Sequence, residues 1–325
     1  MFKKYIHTVD LSESLKKKID IFNSDKSLKY CSVECEVCKS IDFTILFNND
    51  RHGINQRTVV CKKCGFLYSN PRMDEKFSKI FYNSDLYRVL YTYNQNVKNK
   101  NDLYTLALKE LKMHRPQKIS KANFKKYYKN LYLDFICNEI NDFETVLDVG
   151  CGKGTKLVDF ESINKKAYGI EPSQEFNKAH LDFGLKSKIG FIDDIQDDKY
   201  DLIILSHVFE HLTDLRLIMK KIAKITNKYL FIEVPGHFRK MQSIQNAHNY
   251  YFSINTLNFF VLNSGFKLIK IDYAKDNEFI LALYEKGMPP SYRHLSQIFK
   301  SKSDRKFYKE KLTNNGSYFS LKTTE

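Results

Sequence analysis

Two pairs of cysteines have the spacing of a metal site. Cys35 and Cys38 form one C-x2-C pair, and Cys61 and Cys64 form a second pair farther along the chain. Each pair can place two thiolates on one tight turn, and four thiolates from two turns make a tetrahedral Zn²⁺ site with no open position. We therefore predict a structural zinc here. The alternative is four reduced structural thiols without a metal.

A glycine-rich turn follows a short apolar strand. Asp148 lies near the end of the strand, and Gly150, Gly152 and Gly154 follow at alternate positions. A dinucleotide-binding turn has the spacing G-x-G-x-x-G, but Thr155 occupies the place of its third glycine. A glycine turn between a strand and a helix presents backbone N–H groups to a ligand. The sequence therefore predicts a ligand site at one edge of an open sheet.

Apolar strands and helical patterns alternate through the second half of the chain, which predicts an α/β fold. We expect a Rossmann-like sheet with helices on both faces, preceded by a small zinc ribbon whose hairpin strands lie within the cysteine segment. The predicted division is an N-terminal segment 1–30, the ribbon 31–75, a helical tyrosine-rich connector 76–142, the α/β domain 143–286 and a basic extension 287–325.

Composition limits the partners. The 325 residues carry a formal net charge of +15, which favours anionic partners such as a phosphorylated metabolite, nucleic acid or a membrane surface. The lysines are scattered, so a solvated surface is the simpler interpretation. There is no apolar segment of signal-peptide type and no run long enough to span a bilayer, so we expect a cytoplasmic protein with reduced thiols. The oligomeric state stays open.

Several motifs together resemble the class I S-adenosylmethionine (SAM)-dependent methyltransferases. They are the glycine turn that begins at Asp148, the acid Glu171 at the next strand end, and the sequence Ser-His-Val-Phe-Glu-His at residues 206–211. The order of ribbon, Asn-Pro-Arg, tyrosine-rich segment and methyltransferase domain is similar to bacterial enzymes that methylate sugars. That group includes sugar-nucleotide C-methyltransferases and enzymes of surface-polysaccharide and antibiotic biosynthesis. The resemblance covers about residues 31 to 286 and implies SAM as the cofactor.

The resemblance implies a set of cofactor contacts along one edge of the sheet: Asp148, Gly150, Gly152, Gly154, Glu171, Ile192, Asp193, Ser206 and His207. The glycines would pass under the methionine part of SAM, with Asp148 near its ammonium group. Glu171 would hold the ribose, since a carboxylate can accept hydrogen bonds from both hydroxyls. Ile192 and Asp193 would lie by the adenine. Ser206 and His207 would lie beside the sulfonium.

Three histidines have positions suited to catalysis. A hydroxyl acceptor needs a general base, and histidine can serve at neutral pH. The candidates are His248, His207 and His211. The sugar C-methyltransferases carry a Glu-His pair where this sequence has Ala247 and His248, so proton abstraction from carbon is not favoured. We predict O-methylation with His248 as base or orienting residue; the alternatives are a capping or core role for His248 and a helix-bracing role for His211.

Three tyrosines are candidate substrate contacts: Tyr82, Tyr87 and Tyr251. Tyrosine offers a ring to stack against a sugar and a hydroxyl to bond it. The alternative for the tyrosine-rich segment is an aromatic helix face packed on the main domain.

The predicted function is transfer of a methyl group from SAM to a nucleotide-linked or glycan-linked sugar, in surface polysaccharide biosynthesis. One alternative is C-methylation of a nucleotide-linked keto-sugar. A second is nucleic-acid methylation, which a ribbon and a basic chain also suit, although the fourth strand lacks an Asn-Pro-Pro-Tyr motif for base flipping. A third is a non-catalytic scaffold, which the intact glycine turn and Glu171 do not favour.

Overall fold

The computed structural model describes residues 13–25, 29–82, 87, 100–114, 131–196, 198–236, 244–274 and 279–287. The predicted extension beyond residue 287, and parts of the predicted N-terminal segment and connector, lie outside this set. Among the described residues no helix combines the length and apolar character that crossing a membrane requires.

The strands are, in chain order, β1 (Tyr30–Cys31), β2 (Phe43–Asn49), β3 (Asn55–Cys61), β4 (Leu67–Ser69), β5 (Arg72–Met73), β6 (Thr145–Val149), β7 (Lys166–Glu171), β8 (Ser187–Ile189), β9 (Tyr200–Ser206), β10 (Thr226–Pro235), β11 (Tyr250–Tyr251), β12 (Phe266–Ala274) and β13 (Phe279–Lys286). The α-helices are α1 (Glu13–Ser24), α2 (Glu75–Tyr82), α3 (Lys100–His114), α4 (Leu131–Cys137), α5 (Thr155–Ser162), α6 (Gln174–Phe183), α7 (Leu215–Ile225) and α8 (Ile254–Leu262). Short 3-10 turns cover Ile192–Asp194 and Phe209–His211.

The main sheet has the strand order β12-β13-β10-β9-β6-β7-β8. The strands from β10 to β8 pair in parallel, and β13 pairs antiparallel with both β10 and β12. The chain moves outward from β6 to β8 and then returns to the other side of β6 as β9. An open α/β sheet binds ligands at such a reversal, beyond the carboxyl ends of the strands.

Alternate residues of β6 enter two separate cores. Leu147 packs with residues of α7 and α8 on one face of the sheet, whereas Val146 packs with residues of α4 and α5 on the other. This follows from the two-residue period of a strand, which sends neighbouring side chains to opposite faces. Helices therefore cover both faces of a mostly parallel sheet, and the predicted Rossmann-like α/β fold is confirmed.

A second sheet joins the cysteine-rich segment to the main domain. Its order is β11-β4-β3-β2, and β2 and β3 form the predicted hairpin. The edge strand β11 comes from the main domain and pairs with β4, with Tyr250 opposite Tyr68 and Tyr251 opposite Leu67. The ribbon sheet is therefore completed by a strand that lies far along the chain.

A buried ion pair at this joint also holds helix α7. Arg72 Nη2 lies 3.1 Å from Glu36 Oε1, and both side chains are almost fully buried. Arg72 also donates to the Tyr250 hydroxyl, and Glu36 Oε2 accepts from the backbone N–H of Leu215 at 3.1 Å. Because Leu215 begins α7, the carboxylate satisfies one of the unpaired N–H groups at that helix end.

Candidate active site

The glycine turn is tied to the neighbouring strand. Gly150 N–H donates to the carbonyl of Ile170 at 2.8 Å. Gly150 has a φ of +67°, and a Cβ there would lie 2.7 Å from Val208 Cγ2, so the turn requires glycine at this position. The close packing brings the turn between β6 and α5 against the segment that follows β9.

Glu171 links the end of β7 to the same turn. Its side chain is buried, with only 3% of the residue exposed. Oε2 accepts from Gly152 N–H at 2.9 Å, and Oε1 accepts from Ser173 N–H at 2.9 Å. Two backbone donors therefore fix the carboxylate at the edge of the sheet, in the place expected for a ribose contact.

A cleft of about 260 Å³ opens at this edge. It is lined by these predicted site residues: Gly150, Gly152, Glu171, Ile192, Asp193, His207, His211, Tyr82 and Tyr87. Helix α2 forms one wall, where Lys79 Nζ lies 3.6 Å from Asp193 Oδ2. The cleft is therefore formed by strand ends of the main sheet together with helix α2, which lies well before that sheet in the sequence.

The other predicted site residues lie behind the cleft. Gly154 begins α5 and packs under the His180 ring, where a Cβ would be 2.7 Å from His180 Cδ2. The Ser206 hydroxyl donates to Glu233 Oε2 at 2.6 Å. Tyr251 packs in the ribbon joint with residues such as Val60, because β11 belongs to the ribbon sheet. None of these residues lines the cleft.

Asp148 is buried beneath the turn, with 2% of the residue exposed. Burial, together with the carboxylates of Glu171 and Glu233, outweighs the attraction of Lys156 and raises the pKa of Asp148 to about 7. A carboxyl group with this pKa is poised between its neutral and charged forms at physiological pH. A cationic ligand nearby favours the charged form.

Tyr82 and His211 share one backbone acceptor at the cleft. The Tyr82 hydroxyl donates to the Ala247 carbonyl at 2.7 Å, and His211 Nδ1–H donates to the same oxygen at 2.8 Å. Their rings meet edge to face, with centroids 5.6 Å apart. Ala247 therefore fixes the orientation of both side chains through its backbone, although its side chain has no polar group.

The three candidate histidines surround Glu210, whose role the sequence did not reveal. Glu210 Oε1 lies 3.5 Å from His207 Nδ1, and 3.8 Å from the Nε2 atoms of both His211 and His248. Glu210 is 1% exposed, and neither carboxylate oxygen has a hydrogen-bond partner among the described residues. His248 is itself buried behind His211, with ring centroids 4.8 Å apart.

The two histidines that line the cleft differ in charge preference. Partial loss of solvent around His207, which is still 43% exposed, opposes its protonation, but the carboxylates of Glu210 and Glu233 outweigh this and raise the pKa of His207. Burial lowers the pKa of His211 more strongly than Glu210 raises it. His211 is therefore the neutral ring of the pair at physiological pH.

Residues 121–271 match a family model described as a methyltransferase domain. This stretch of the chain therefore carries a methyltransferase domain. No curated protein matches the sequence.

The solved structures to which the chain is similar have low sequence identity. Magnesium protoporphyrin IX methyltransferase from Synechocystis PCC 6803, with bound S-adenosylhomocysteine, is 13% identical over 66% of this chain and 100% of its own, with a TM-score of 0.44. A SAM-dependent methyltransferase from Methanosarcina mazei is 13% identical over 47% and 97%, with a TM-score of 0.40. The 1,6-didemethyltoxoflavin-N1-methyltransferase of Burkholderia thailandensis is 10% identical over 60% and 93%, with a TM-score of 0.42.

The four predicted metal ligands converge in the ribbon. The sulfur atoms of Cys35, Cys38, Cys61 and Cys64 all lie within 4.8 Å of one another. Cys35 Sγ is 3.5 Å from Cys64 Sγ, and Cys38 Sγ is 3.4 Å from Cys61 Sγ. Zinc–sulfur bonds of about 2.3 Å in a tetrahedron place the sulfurs about 3.8 Å apart. The donor set and its spacing therefore fit a four-thiolate zinc site.

Proposed function

We propose that the protein transfers a methyl group from SAM to a hydroxyl of a nucleotide-linked or glycan-linked sugar, in surface polysaccharide biosynthesis. One observation carries this proposal: a single cleft runs from the glycine turn and Glu171 to the histidines around Glu210. The first end suits a nucleoside, and the second end can deprotonate an acceptor.

The cofactor end of the cleft fits SAM. Bound there, SAM supplies an electrophilic methyl group on a positively charged sulfur. Glu171 accepts hydrogen bonds from the ribose hydroxyls, and Ile192 and Asp193 border the adenine. Asp148 supplies a negative charge beneath the turn when it ionises. The chain thus stabilises a cationic nucleoside by charge and by hydrogen bonds.

The acceptor end fits a sugar. Tyr82 and Tyr87 line the cleft as an aromatic wall, and their rings meet edge to face with centroids 4.8 Å apart. Such rings pack against the apolar faces of a sugar, and the imidazoles of His207 and His211 can bond its hydroxyls. Methyl transfer needs the acceptor oxygen to be aligned and to lose its proton, and the histidine cluster lies where both can occur.

The ribbon has a structural part in this proposal. A zinc ion on the four cysteines fixes a segment too small to bury a core of its own. The segment carries Arg72 and Glu36, which hold the start of α7, and it leads directly into α2. The zinc therefore positions one wall of the cleft without contacting the substrate.

The test is methyl transfer from isotopically labelled SAM to a panel of nucleotide sugars, the corresponding free sugars and RNA. Products are identified by mass spectrometry, and NMR distinguishes a methyl on oxygen from one on carbon. We expect label on a sugar oxygen. Label on RNA alone, or no product from protein that binds SAM, refutes the sugar proposal. A carbon-linked methyl refutes O-methylation. Glu171→Ala, deficient in SAM binding, is the negative control.

A further inference from the structure

Three acceptor atoms meet around Glu210 without a proton donor between them. His211 donates its Nδ1–H to the Ala247 carbonyl, so its Nε2 carries a lone pair. His248 Nε2 accepts from the amide nitrogen of Gln245, so this Nε2 is also unprotonated, and it can bind a cation once the Gln245 amide turns away. Glu210 Oε1 lies 3.8 Å from both nitrogens.

This arrangement favours positive charge beside Glu210, which a protonated His207 supplies in part and a bound cation would complete. The Glu210 carboxylate is 1% exposed, and neither oxygen is hydrogen bonded among the described residues. His207 Nδ1 lies 3.5 Å from Oε1 without completing a hydrogen bond. A buried carboxylate that lacks hydrogen bonds is strongly destabilising unless positive charge compensates it.

We propose that Glu210, His211 and His248 bind a divalent cation of the first transition row. Two imidazoles and one carboxylate are a donor set that such cations favour, and it leaves coordination positions open. The three ligand atoms lie within 4.8 Å of one another. Bonds of about 2.1 Å place neighbouring ligands about 3.0 to 3.4 Å apart, so the two 3.8 Å distances from Glu210 Oε1 need to close by about 0.4 to 0.8 Å.

The surroundings of the site support the assignment. Histidine ligands usually donate their second ring N–H to a carbonyl or carboxylate, which fixes the tautomer and the ring orientation. The Ala247 carbonyl makes this contact with His211 at 2.8 Å. The His248 carbonyl in turn accepts from Ser69 Oγ at 2.8 Å. The ligand-bearing loop is therefore held from outside the cluster.

A cation at this site would take part in the proposed methyl transfer, and this catalytic role rests on the proposed function. His211 lines the cleft, so open coordination positions there face the acceptor. A hydroxyl bound to the cation has a lowered pKa and gives its proton to water. Its oxygen then forms a bond to the methyl carbon while the carbon–sulfur bond breaks, and that electron pair stays on sulfur. The substrate class is an alcohol or vicinal diol whose oxygen can enter a metal coordination shell.

The experiment titrates the zinc-loaded full chain with Mn²⁺ and follows the electron paramagnetic resonance signal of the free ion. Mn²⁺ favours oxygen and nitrogen ligands over four thiolates, so the ribbon does not compete. We expect one bound Mn²⁺ per chain. Glu210→Gln keeps the shape but removes the charge, and should weaken binding about a hundredfold or more, since even outer contacts of metal ligands are worth 10- to 100-fold.

Glu233→Gln is the matched control, because Glu233 Oε1 lies 3.9 Å from His207 Nε2 but outside the proposed ligand set; it should retain Mn²⁺ binding. Equal loss in both variants overturns the assignment of ligands. Wild-type protein that binds neither Mn²⁺ nor Co²⁺ beyond the ribbon overturns the site itself, independently of whether any variant folds. Methyl transfer that persists in such metal-free protein refutes the cation and leaves the proposed function intact. Metal binding without methyl transfer to any sugar refutes the function and leaves the site.

Discussion

Replacing Asp148 by asparagine should stabilise the protein at neutral pH and above. Burial beside Glu171 and Glu233 raises the pKa of Asp148 from 3.8 to about 7. A tenfold change in an equilibrium is worth about 1.4 kcal/mol, so ionising this group costs the folded state about 4 kcal/mol. The unfolded chain ionises near pH 4 without this cost. Folded-state stability therefore falls as pH rises from about 4 to 7, and then stays level.

The measurement is the free energy of unfolding by urea, for wild type and Asp148→Asn, at intervals between pH 4.5 and 8. The variant cannot ionise at this position, so its advantage should grow with pH and reach about 4 kcal/mol above pH 7. Subtracting the two profiles removes the contributions of all other titrating groups.

Asp201→Asn is a control for which the expected change in folding stability has the opposite sign. Burial opposes charge on Asp201, but N–H donors from Glu144 and Thr145 outweigh it and lower its pKa. Its ionised form therefore stabilises the folded state above pH 4, and this contribution is lost only as pH falls below that range. The variant should be less stable than wild type by a constant amount between pH 5 and 8.

A difference in unfolding free energy between wild type and Asp148→Asn that stays constant with pH refutes the reasoning about burial.

A second readout is the affinity for the cofactor. Because a cation favours the charged carboxylate, SAM affinity of the wild type should strengthen as pH rises through 7, with proton release on binding. The variant should bind SAM more weakly and without this pH dependence. Identical calorimetric profiles for the two proteins would separate Asp148 from the cofactor site.

Three other changes are informative. Glu171→Gln removes a charged hydrogen-bond acceptor and should weaken SAM binding about 10- to 100-fold in calorimetry, with tyrosine fluorescence and the melting temperature little changed. Cys61→Ser should release zinc, detected with a colorimetric chelator, and lower the melting temperature, because a ribbon of this size depends on its metal. Arg72→Met leaves the buried Glu36 carboxylate without its ion-pair partner and should reduce stability by about 3 to 5 kcal/mol, whereas the double change with Glu36→Gln should recover part of the loss.

The proximity of Asp148, the glycine turn and Glu171 could be predicted from sequence because these residues end neighbouring strands; their binding of a cofactor stays a prediction. Asp148, the glycines and Glu171 sit at the ends of adjacent strands, and the order of the motifs fixes their neighbourhood. The histidine predictions depended on contacts that sequence does not reveal. His248 was predicted as the base, and the structure instead buries it behind His211, leaving its catalytic assignment a prediction. The local signal of the cluster was the motif at residues 206–211, which contains His207, Glu210 and His211; nothing local linked it to His248.

Tyr251 shows why the acceptor end was harder to predict. It was a candidate substrate contact, yet β11 pairs with β4 of the ribbon sheet, and the Tyr251 side chain packs in the joint. Neither segment carries a sequence signal for the other. A contact between distant short strands depends on tertiary packing, which propensity and periodicity do not encode.

The ribbon and the acceptor end are one structural unit. Ser69 and Gln56 of the ribbon sheet donate to the His248 carbonyl at 2.8 and 3.2 Å. Their two bonds set the position of the loop that carries His248, whereas Glu171 and the glycine turn are held by backbone hydrogen bonds within the main domain. Disturbing the ribbon should therefore affect acceptor chemistry before it affects SAM affinity. A domain placed in this way acts as the supporting wall of the active site rather than as a separate recognition module, because its hydrogen bonds end on the backbone of a residue in the reactive cluster.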